Sequence, residues 1–350
     1  MSASPFLTVP TAFGEPLGRA ILRSTPEDFL VREWLGFDAD GEGDHVLLRV
    51  RKRGANTFWV AKQLARLAKV APHDVGYAGL KDRDAVAEQS FTVPLRSTIG
   101  LEWAGVSGEG FEVLAAARHK RKLKRGALRG NEFVIVLKAF TGSPGALEAR
   151  LRAISAHGVP NYFGPQRFGR DGNNLQVAYR WFDGGASPQD RLQRGFAISA
   201  ARSALFNAVL AERIRAQTWN RLLAGDLANL DGTGSIFAVE SVDDPLVQRC
   251  ETLDIHPTGP LWHGDSSASG AVHALEGKIA AEHSVLAHGL ASVGLEAERR
   301  ALRVRVADLR WTIDGQDVTL SFRLPRGAFA TAVLHEILEN AFATEMPDGD

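Results

Sequence analysis

The sequence has one cysteine, Cys250, among its 350 residues. A single thiol can neither close an internal disulfide nor supply a cysteine-based zinc site. No apolar run reaches the ~18 residues that a membrane span needs, and the first residues lack the basic stretch and apolar core of a secretory signal. These absences exclude a disulfide scaffold, and we expect a protein of the cytoplasm.

Common catalytic motifs are also lacking. The sequence contains no G-x-x-x-x-G-K-[ST] phosphate loop and no G-x-S-x-G nucleophile motif. His335 and Glu336 begin the helical zinc-protease motif, but Glu339 stands where that motif requires its second histidine. We therefore expect neither phosphate-loop chemistry nor a resident metal ion.

Charge is balanced overall but not locally. Lys+Arg and Asp+Glu number 41 each, yet residues 118–129 hold seven Lys or Arg and no acid, directly before an apolar strand pattern. A charged run is most often a solvated surface, but cations beside a sheet are suited to neutralising phosphates. A second basic cluster, Arg51–Arg53, ends an earlier strand pattern. The distribution favours nucleic-acid binding.

The order of the predicted elements indicates a discontinuous domain. Strand patterns occur over 28–34, 45–51, 89–94, 110–114, 131–140, 303–311 and 318–324. Helical patterns occur over 56–67, 143–158, 196–215, 271–288 and 328–342. Because strands dominate both ends and helices the middle, we expect one sheet domain built from both termini and interrupted by an insertion. A chain of this length fits two domains.

Residues 76–89 form the most unusual segment, GYAGLKDRDAVAEQ. Asp82 follows a glycine-rich run and lies between Lys81 and Arg83, in a composition typical of turns. Taken alone, this aspartate is most simply a structural residue paired with a neighbouring arginine. A metal-binding pair with Asp84 is the other interpretation, but no third ligand stands at a recognisable spacing.

Seven segments, spread over nearly the whole chain, change this balance. They are TPEDFLV (Thr25–Val31), DADGEGDH (Asp38–His45), AGLKDRDAV with Glu88 and Gln89, ARHKRKLKRGALRGNEF (Ala117–Phe133), VPNYFGPQRFGRDGNNLQ (Val159–Gln176), SAARSALFN (Ser199–Asn207) and PRGAFATAVLHEI (Pro325–Ile337). Together, and in this order, they resemble the TruD family of tRNA pseudouridine synthases. The resemblance fades between Val239 and Leu302, and Ala87 stands where the family commonly has threonine.

The resemblance implies an α+β fold. It consists of a pseudouridine-synthase catalytic domain, with a mixed, largely antiparallel sheet built from both termini, and an inserted α/β domain. We place the catalytic domain at residues 1–156 and 305–350 and the inserted domain at 157–304.

The resemblance also implies a reaction. Such enzymes convert a uridine in the D-arm of tRNA, conventionally position 13, to pseudouridine without cofactor or metal. The matching position for the carboxylate nucleophile is Asp82, and those for substrate contacts are Phe29, Asn131 and Phe329. The uridine must be flipped out of the folded tRNA to be reached. On an extended chain Lys81 and Arg83 point away from Asp82, so we expect its electrostatic partner to be a more distant cation.

We further expect a monomer whose partner is tRNA. Candidate phosphate-binding side chains lie in the basic run and in the loop Asn161–Asn174 at the junction of the two domains, which we call the junction loop; they are Lys120, Arg121, Lys122, Lys124, Arg167 and Arg170. Two other functions stay open at this point. One is a tRNA-binding or chaperone module without catalysis, and the other is a carboxylate-metal nuclease using Asp82 and Asp84.

Overall fold

The computed structural model of the chain describes residues 9–81, 86–95, 102–339 and 341. Among the helices in these ranges, none combines the length and the apolar composition that crossing a bilayer requires. Asp82 and Asp84 lie outside the described residues.

Two compact units divide the chain. The sheet unit consists of Arg19–Thr141 and Ala307–Gly327, and the helical unit consists of Met1–Gly18, Gly142–Val306 and Ala328–Asp350. These limits differ from the boundaries predicted at 156/157 and 304/305, and the functional division into a catalytic and an inserted domain stays a prediction.

Strands and helices have well-defined limits. The strands are β1 (Ile21–Leu22), β2 (Phe29–Trp34), β3 (His45–Lys52), β4 (Gly76–Tyr77), β5 (Val86–Pro94), β6 (Ser107–Gly108), β7 (Phe111–His119), β8 (Gly130–Lys138), β9 (Val159–Pro160), β10 (Leu227–Leu230), β11 (Ile236–Ala238), β12 (Ile255–Leu261), β13 (Glu298–Ala301), β14 (Arg303–Val304), β15 (Ala307–Asp314) and β16 (Asp317–Pro325). The helices are α1 (Thr57–Ala68), α2 (Pro144–His157), α3 (Asn173–Phe182), α4 (Arg191–Arg215), α5 (Asp244–Glu251), α6 (Gly270–Glu282), α7 (Ser284–Ser292) and α8 (Ala330–His335).

The sheet unit contains a ten-stranded sheet in the order β15-β16-β8-β2-β5-β3-β7-β6, with β1 on β8 and β4 on β5. β2 and β5 pair in parallel, and the other described pairs are antiparallel. Strands from both ends of the sequence thus share one sheet, as predicted. Helix α1 packs Val60, Ala61 and Leu64 into a core with β3 and β5.

One face of this sheet is buried. On β2 it carries Phe29, Val31 and Glu33, because side chains alternate along a strand. Their partners on β8 are Ile135, Phe133 and Asn131, and β16 adds Leu320, Phe322 and Leu324 to the same face. The buried face is therefore apolar for most of its length and becomes polar at Glu33 and Asn131.

The opposite face carries a row of alternating charges across neighbouring strands. Oppositely charged side chains lie 3.0–3.5 Å apart along it, in the order Arg51, Glu88, Arg32, Glu132, Arg323 and Asp308. Arg51 of the second basic cluster is thus paired, and Arg53 pairs with Glu27. The third member, Lys52, is fully buried and donates to the Ala55 carbonyl. All three cations of this cluster therefore have partners within the protein.

The helical unit combines a four-stranded sheet, β11-β10-β12-β13, with the packed helices α3, α4, α6 and α7. Its main core gathers aromatic residues of the 162–168 loop, including Tyr162 and Phe168, around the small-residue face of α4. The loop between β9 and α3 contains two 3-10 turns, Pro165–Phe168 and Arg170–Gly172. This unit therefore combines helices with a sheet, and the inserted domain at 157–304 stays a prediction.

Two predicted helix limits were wrong. The pattern at 271–288 forms two helices, which are separated at His283. The last helix spans Ala330–His335 instead of starting at 328 and continuing to 342. Leu67 of α1 is 43% exposed, and the buried stripe of the helix continues through Ala65 and Ala68.

Candidate active site

The predicted nucleophile, Asp82, lies outside the described residues, in the segment between Lys81 and Val86. Before the gap, the side chain of Lys81 contacts Glu33 of β2 and Asn131 of β8. After the gap, Val86 begins β5 and pairs with Leu30, the neighbour of Phe29. Both flanks of the segment containing Asp82 therefore reach the strands that carry two of the predicted substrate contacts.

Lys81 is the centre of a buried polar network. Its Nζ atom lies 2.9 Å from Glu33 Oε1 and donates to Asn131 Oδ1 at 2.9 Å. The side chains of Lys81 and Glu33 are 8% and 0% exposed. The second carboxylate oxygen of Glu33 accepts the backbone N–H of Ser90 at 2.9 Å. A buried charge needs a counter-charge and hydrogen bonds, and each of these two charges has both.

The backbone before Asp82 is held by two further buried side chains. The backbone N–H of Lys81 donates to Thr57 Oγ1 at 3.1 Å, and the Thr57 hydroxyl donates to Gln89 Oε1 at 2.9 Å. Gln89 Nε2 then donates to the Gly79 carbonyl at 2.6 Å. Helix α1 and strand β5 thus fix residues 79–81 from two sides.

Phe29 and Asn131 lie on the same buried face. Glu33 is directly opposite Asn131, and Phe29 precedes Glu33 by four residues on β2. At a rise of ~3.3 Å per residue, these positions are about 13 Å apart. The Phe29 ring meets Phe133 edge-to-face at 6.2 Å, and the guanidinium carbon of Arg23 lies 4.3 Å from its centroid. With 8% of its surface exposed, Phe29 is mainly a wall of the sheet core.

Phe329 belongs to the helical unit. It directly precedes α8 in an extended conformation, is half-buried and packs against the main core of that unit. The structure therefore groups Phe29 with Asn131 in one compact unit, and Phe329 in the other.

The basic run 118–129 divides into a neutralised and an open part. Its first residues lie against the acidic turn at 38–44. His119 Nδ1 lies 2.7 Å from Asp40, Lys120 Nζ lies 2.9 Å from Glu42, and Arg118 donates to the Gly43 carbonyl. The absence of acids within the run is thus compensated by acids about 80 residues earlier in the chain.

The middle of the run is anchored to the segment that precedes Asp82. Lys122 donates to the His73 carbonyl, and Arg125 donates to the Tyr77 hydroxyl at 3.2 Å. The backbone N–H of Gly126 donates to the Ala78 carbonyl at 2.7 Å. These contacts hold the basic run beside residues 73–78.

Arg121 and Lys124 differ from their neighbours. Both are exposed, and within the described part of the chain neither side chain makes a hydrogen bond or an ion pair. Of the cations predicted to contact RNA in this run, these two are available, whereas Lys120 and Lys122 are engaged within the protein.

The two arginines of the junction loop also differ. Arg167 is partly buried, donates to Ser199 Oγ at 2.9 Å and lies over the Phe163 ring at 4.9 Å. Burial lowers the pKa of its guanidinium. Arg170 is exposed in the 3-10 turn that follows. Arg167 is therefore part of the packing of the helical unit.

No motif in the sequence marks Glu33 or Thr57 as functional, and Gln89 stands only as part of the longer segment that contains Asp82. Glu33 falls within a strand pattern where a charged residue suggests the solvent-facing side. Its burial follows from the pairing of β2 with β8, which puts it directly opposite Asn131.

Comparison with known proteins gives consistent results. The family model described as tRNA pseudouridine synthase D (TruD) matches residues 14–180 and 186–337. A protein of Nitrosococcus oceani named tRNA pseudouridine synthase D is 46% identical over 336 residues, which cover 95% of this chain and 94% of the relative. A protein of the same name from Methylococcus capsulatus is 47% identical, with 95% of each chain covered.

The fold also has a counterpart among solved structures. A crystal structure from Methanosarcina mazei, described as a putative tRNA pseudouridine synthase D, superposes with a TM-score of 0.70 at 22% identity. The match covers 95% of this chain and 96% of the other. It confirms the predicted α+β fold with a large mixed sheet.

Proposed function

The chain belongs to the TruD family of tRNA pseudouridine synthases, and from this premise we propose that it isomerises uridine 13 in the D-arm of tRNA, with Asp82 as the nucleophile. In this reaction the bond between N1 of uracil and the ribose breaks, and the base turns. A bond from C5 to the ribose then forms, while C5 loses a proton and N1 gains one. The atoms and electrons balance within the nucleotide, so the overall conversion consumes no oxidant or second substrate.

The contact that carries this proposal is the hydrogen bond from Lys81 to Asn131. Asp82 follows Lys81 directly in the chain. A residue proposed to touch uracil is thereby joined to the residue next to the proposed nucleophile. An attacking carboxylate needs positioned neighbours, because geometry supplies much of the rate enhancement in such reactions.

Reaching the uridine requires base flipping, which costs a few kcal/mol of lost stacking and pairing. Aromatic and apolar walls recover part of this energy, at ~1–3 kcal/mol for each stacked base. We assign this task to Phe29 and Phe329. The close packing of Phe29 against Phe133 and Arg23 supports the role of a rigid wall.

The phosphates next to a flipped uridine must also be accommodated. The basic run is anchored to residues 73–78, within ten residues of Asp82 in the sequence, so its cations are suited to this task. Phosphate contacts position an RNA without reading its bases. We assign the main contacts to Arg121 and Lys124 and secondary ones to Lys120, Lys122, Arg167 and Arg170.

The remaining assignments complete the proposal. The catalytic domain comprises residues 1–156 and 305–350, and the inserted domain, 157–304, binds the body of the tRNA. The protein acts as a monomer in the cytoplasm and needs no cofactor.

Incubation with unmodified tRNA, followed by mapping of pseudouridine at nucleotide resolution, tests this function. We expect pseudouridine at position 13, and a transcript with cytidine at that position should gain none. The alternatives have distinct outcomes. Binding without modification would indicate a tRNA-binding module, and cleavage of the chain that depends on a divalent cation would indicate a nuclease. Pseudouridine at another position would overturn the D-arm assignment.

A further inference from the structure

The Lys81 network determines which way the Asn131 amide faces. An ammonium group can only donate hydrogen bonds, so the atom of Asn131 that faces Lys81 must be the oxygen. The amide NH2 group is consequently directed away from Lys81. Within the described residues this NH2 group has no hydrogen-bond partner. Asn131 therefore offers its NH2 donor to a ligand, while its oxygen is held toward Lys81.

Glu33 holds Lys81 in this arrangement. Its carboxylate lies 2.9 Å from the ammonium and is itself fixed by the Ser90 N–H, while its strand position is directly opposite Asn131. Without the carboxylate, the ammonium has no counter-charge within the described part of this network. The side chain of Lys81 could then leave Asn131, whose amide would be free to rotate.

We propose that Glu33 is a positioning residue for pseudouridine formation. Acting through Lys81, it turns the Asn131 NH2 group toward an oxygen acceptor of the bound uridine. Glu33 itself does not touch the substrate, because its side chain is fully buried. This role rests on the proposed function, since it has meaning only if the enzyme modifies uridine.

The chain of contacts from Glu33 through Lys81 to Asn131, which we call the relay, makes a prediction about recognition of the uracil base. Because Oδ1 faces Lys81, the group of Asn131 left unpaired within the described residues is the NH2 donor, and its partner on the base is a carbonyl oxygen. Asn131→Asp replaces the donor by an acceptor at the same place. This variant should therefore lose more activity than Asn131→Ala, which removes the group without adding a repulsive one.

Steady-state kinetics on Glu33→Gln test the proposal. We expect kcat to fall roughly 10- to 100-fold through misplacement of the reacting groups. KM for tRNA should stay within about threefold, because no contact with bound RNA is removed. In the Asn131→Ala background Glu33→Gln should cost little more, since both changes act through one amide. Equal and independent losses in the two backgrounds would contradict the relay.

Two further variants separate positioning from folding. Glu33→Gln leaves a buried ammonium without its counter-charge, whereas Glu33→Gln with Lys81→Met removes both charges. We expect the double variant to regain thermal stability but not kcat. Recovery of kcat together with stability would reduce Glu33 to a structural role and overturn the proposal.

Glu276→Gln is the matched control. Glu276 pairs with Arg299 at 2.6 Å, and the two side chains are 0% and 3% exposed in the helical unit. It should lose stability while the folded enzyme keeps its kcat. Wild-type protein that forms no pseudouridine would overturn the proposed function and this inference with it. An active wild type and an equally active Glu33→Gln would overturn the inference alone.

Discussion

The two compact units bury charged side chains in different ways. In the helical unit, Arg213 donates to both oxygens of Asp226 and to the carbonyls of Thr218 and Arg221, so that the pair is closed. In the sheet unit, the Glu33–Lys81 pair passes a hydrogen bond to Asn131, and the NH2 group of that amide is left open. An ion pair whose hydrogen bonds all stay within the pair and nearby backbone supports the fold. An ion pair that is hydrogen-bonded to a side chain with an unused donor can also orient that donor toward a ligand.

The largest expected effect on stability comes from removing the charge of Asp226, the partner of Arg213. Asp226→Asn leaves Arg213 buried without its counter-charge, which costs about 3–5 kcal/mol of unfolding free energy. Urea unfolding measures this loss. The comparison between the two units would be broken by a folded Asp226→Asn enzyme with a strongly reduced kcat, because the closed pair would then reach the chemistry.

A second test uses Glu336, a buried carboxylate of the helical unit that accepts backbone N–H groups from Ala12 and Phe13. Burial raises its pKa to about 7. The folded state therefore keeps a proton that the unfolded state releases near pH 4–5. This group's contribution to stability is complete below that range and is lost as the pH rises toward 7, by about 3 kcal/mol at most.

Glu336→Gln cannot ionise and should lack this loss. Unfolding free energies measured between pH 5 and 8 should fall for the wild type relative to the variant. The difference should level off above about pH 8, where both states of the wild type are ionised. Parallel pH profiles for the two proteins would contradict the raised pKa.

A third test compares one aromatic residue from each unit. Phe29→Ala and Phe329→Ala should each slow the reaction by roughly the stacking energy of a base, ~1–3 kcal/mol in activation free energy. Phe29→Ala should also lose more stability, because Phe29 lies in the sheet core and leaves a cavity. Single-turnover rates and unfolding curves measure the two effects separately. Wild-type turnover in a folded double variant would refute the assignment.

The smallest effect concerns the basic run. Arg121→Gln with Lys124→Gln removes two cations that are open to solvent. Binding to tRNA should weaken, and the slope of log affinity against log salt should flatten by ~0.7–0.9 for each lost phosphate contact.

Lys120→Gln is the control within the same run, since Lys120 already pairs with Glu42. It should change the salt slope less than either open cation does. Titrations at several salt concentrations decide the matter. An unchanged slope in the folded Arg121→Gln, Lys124→Gln protein would show that the run is an ordinary solvated surface.

Local features of the fold were predictable from the sequence. Asn56 caps α1 by accepting the Trp59 N–H at 2.8 Å, and Gly158 ends α2 with a positive φ of 71°. Val318, Leu320, Phe322 and Leu324 alternate with less buried residues along the sequence, and the structure buries all four on one face of β16. Caps and alternation depend on neighbours in the chain, so the sequence carries them directly.

Features that depend on distant pairing were not predictable. The neutralisation of Lys120 by Glu42 joins residues 78 positions apart, and the Lys81–Asn131 hydrogen bond joins residues 50 apart. Both follow from strand order and register. The motif resemblance identified Asn131 as a candidate contact, but only the register of β2 and β8 revealed Glu33 opposite it.

The most direct test of the account is the activity of Asp82→Asn on unmodified tRNA, measured together with its affinity for the same RNA. Asparagine has nearly the same shape as aspartate but cannot serve as an equivalent nucleophile. The account predicts no detectable pseudouridine at position 13, with tRNA affinity within a few-fold of the wild type. Pseudouridine formation at near wild-type rate by the purified variant would contradict the assignment of Asp82.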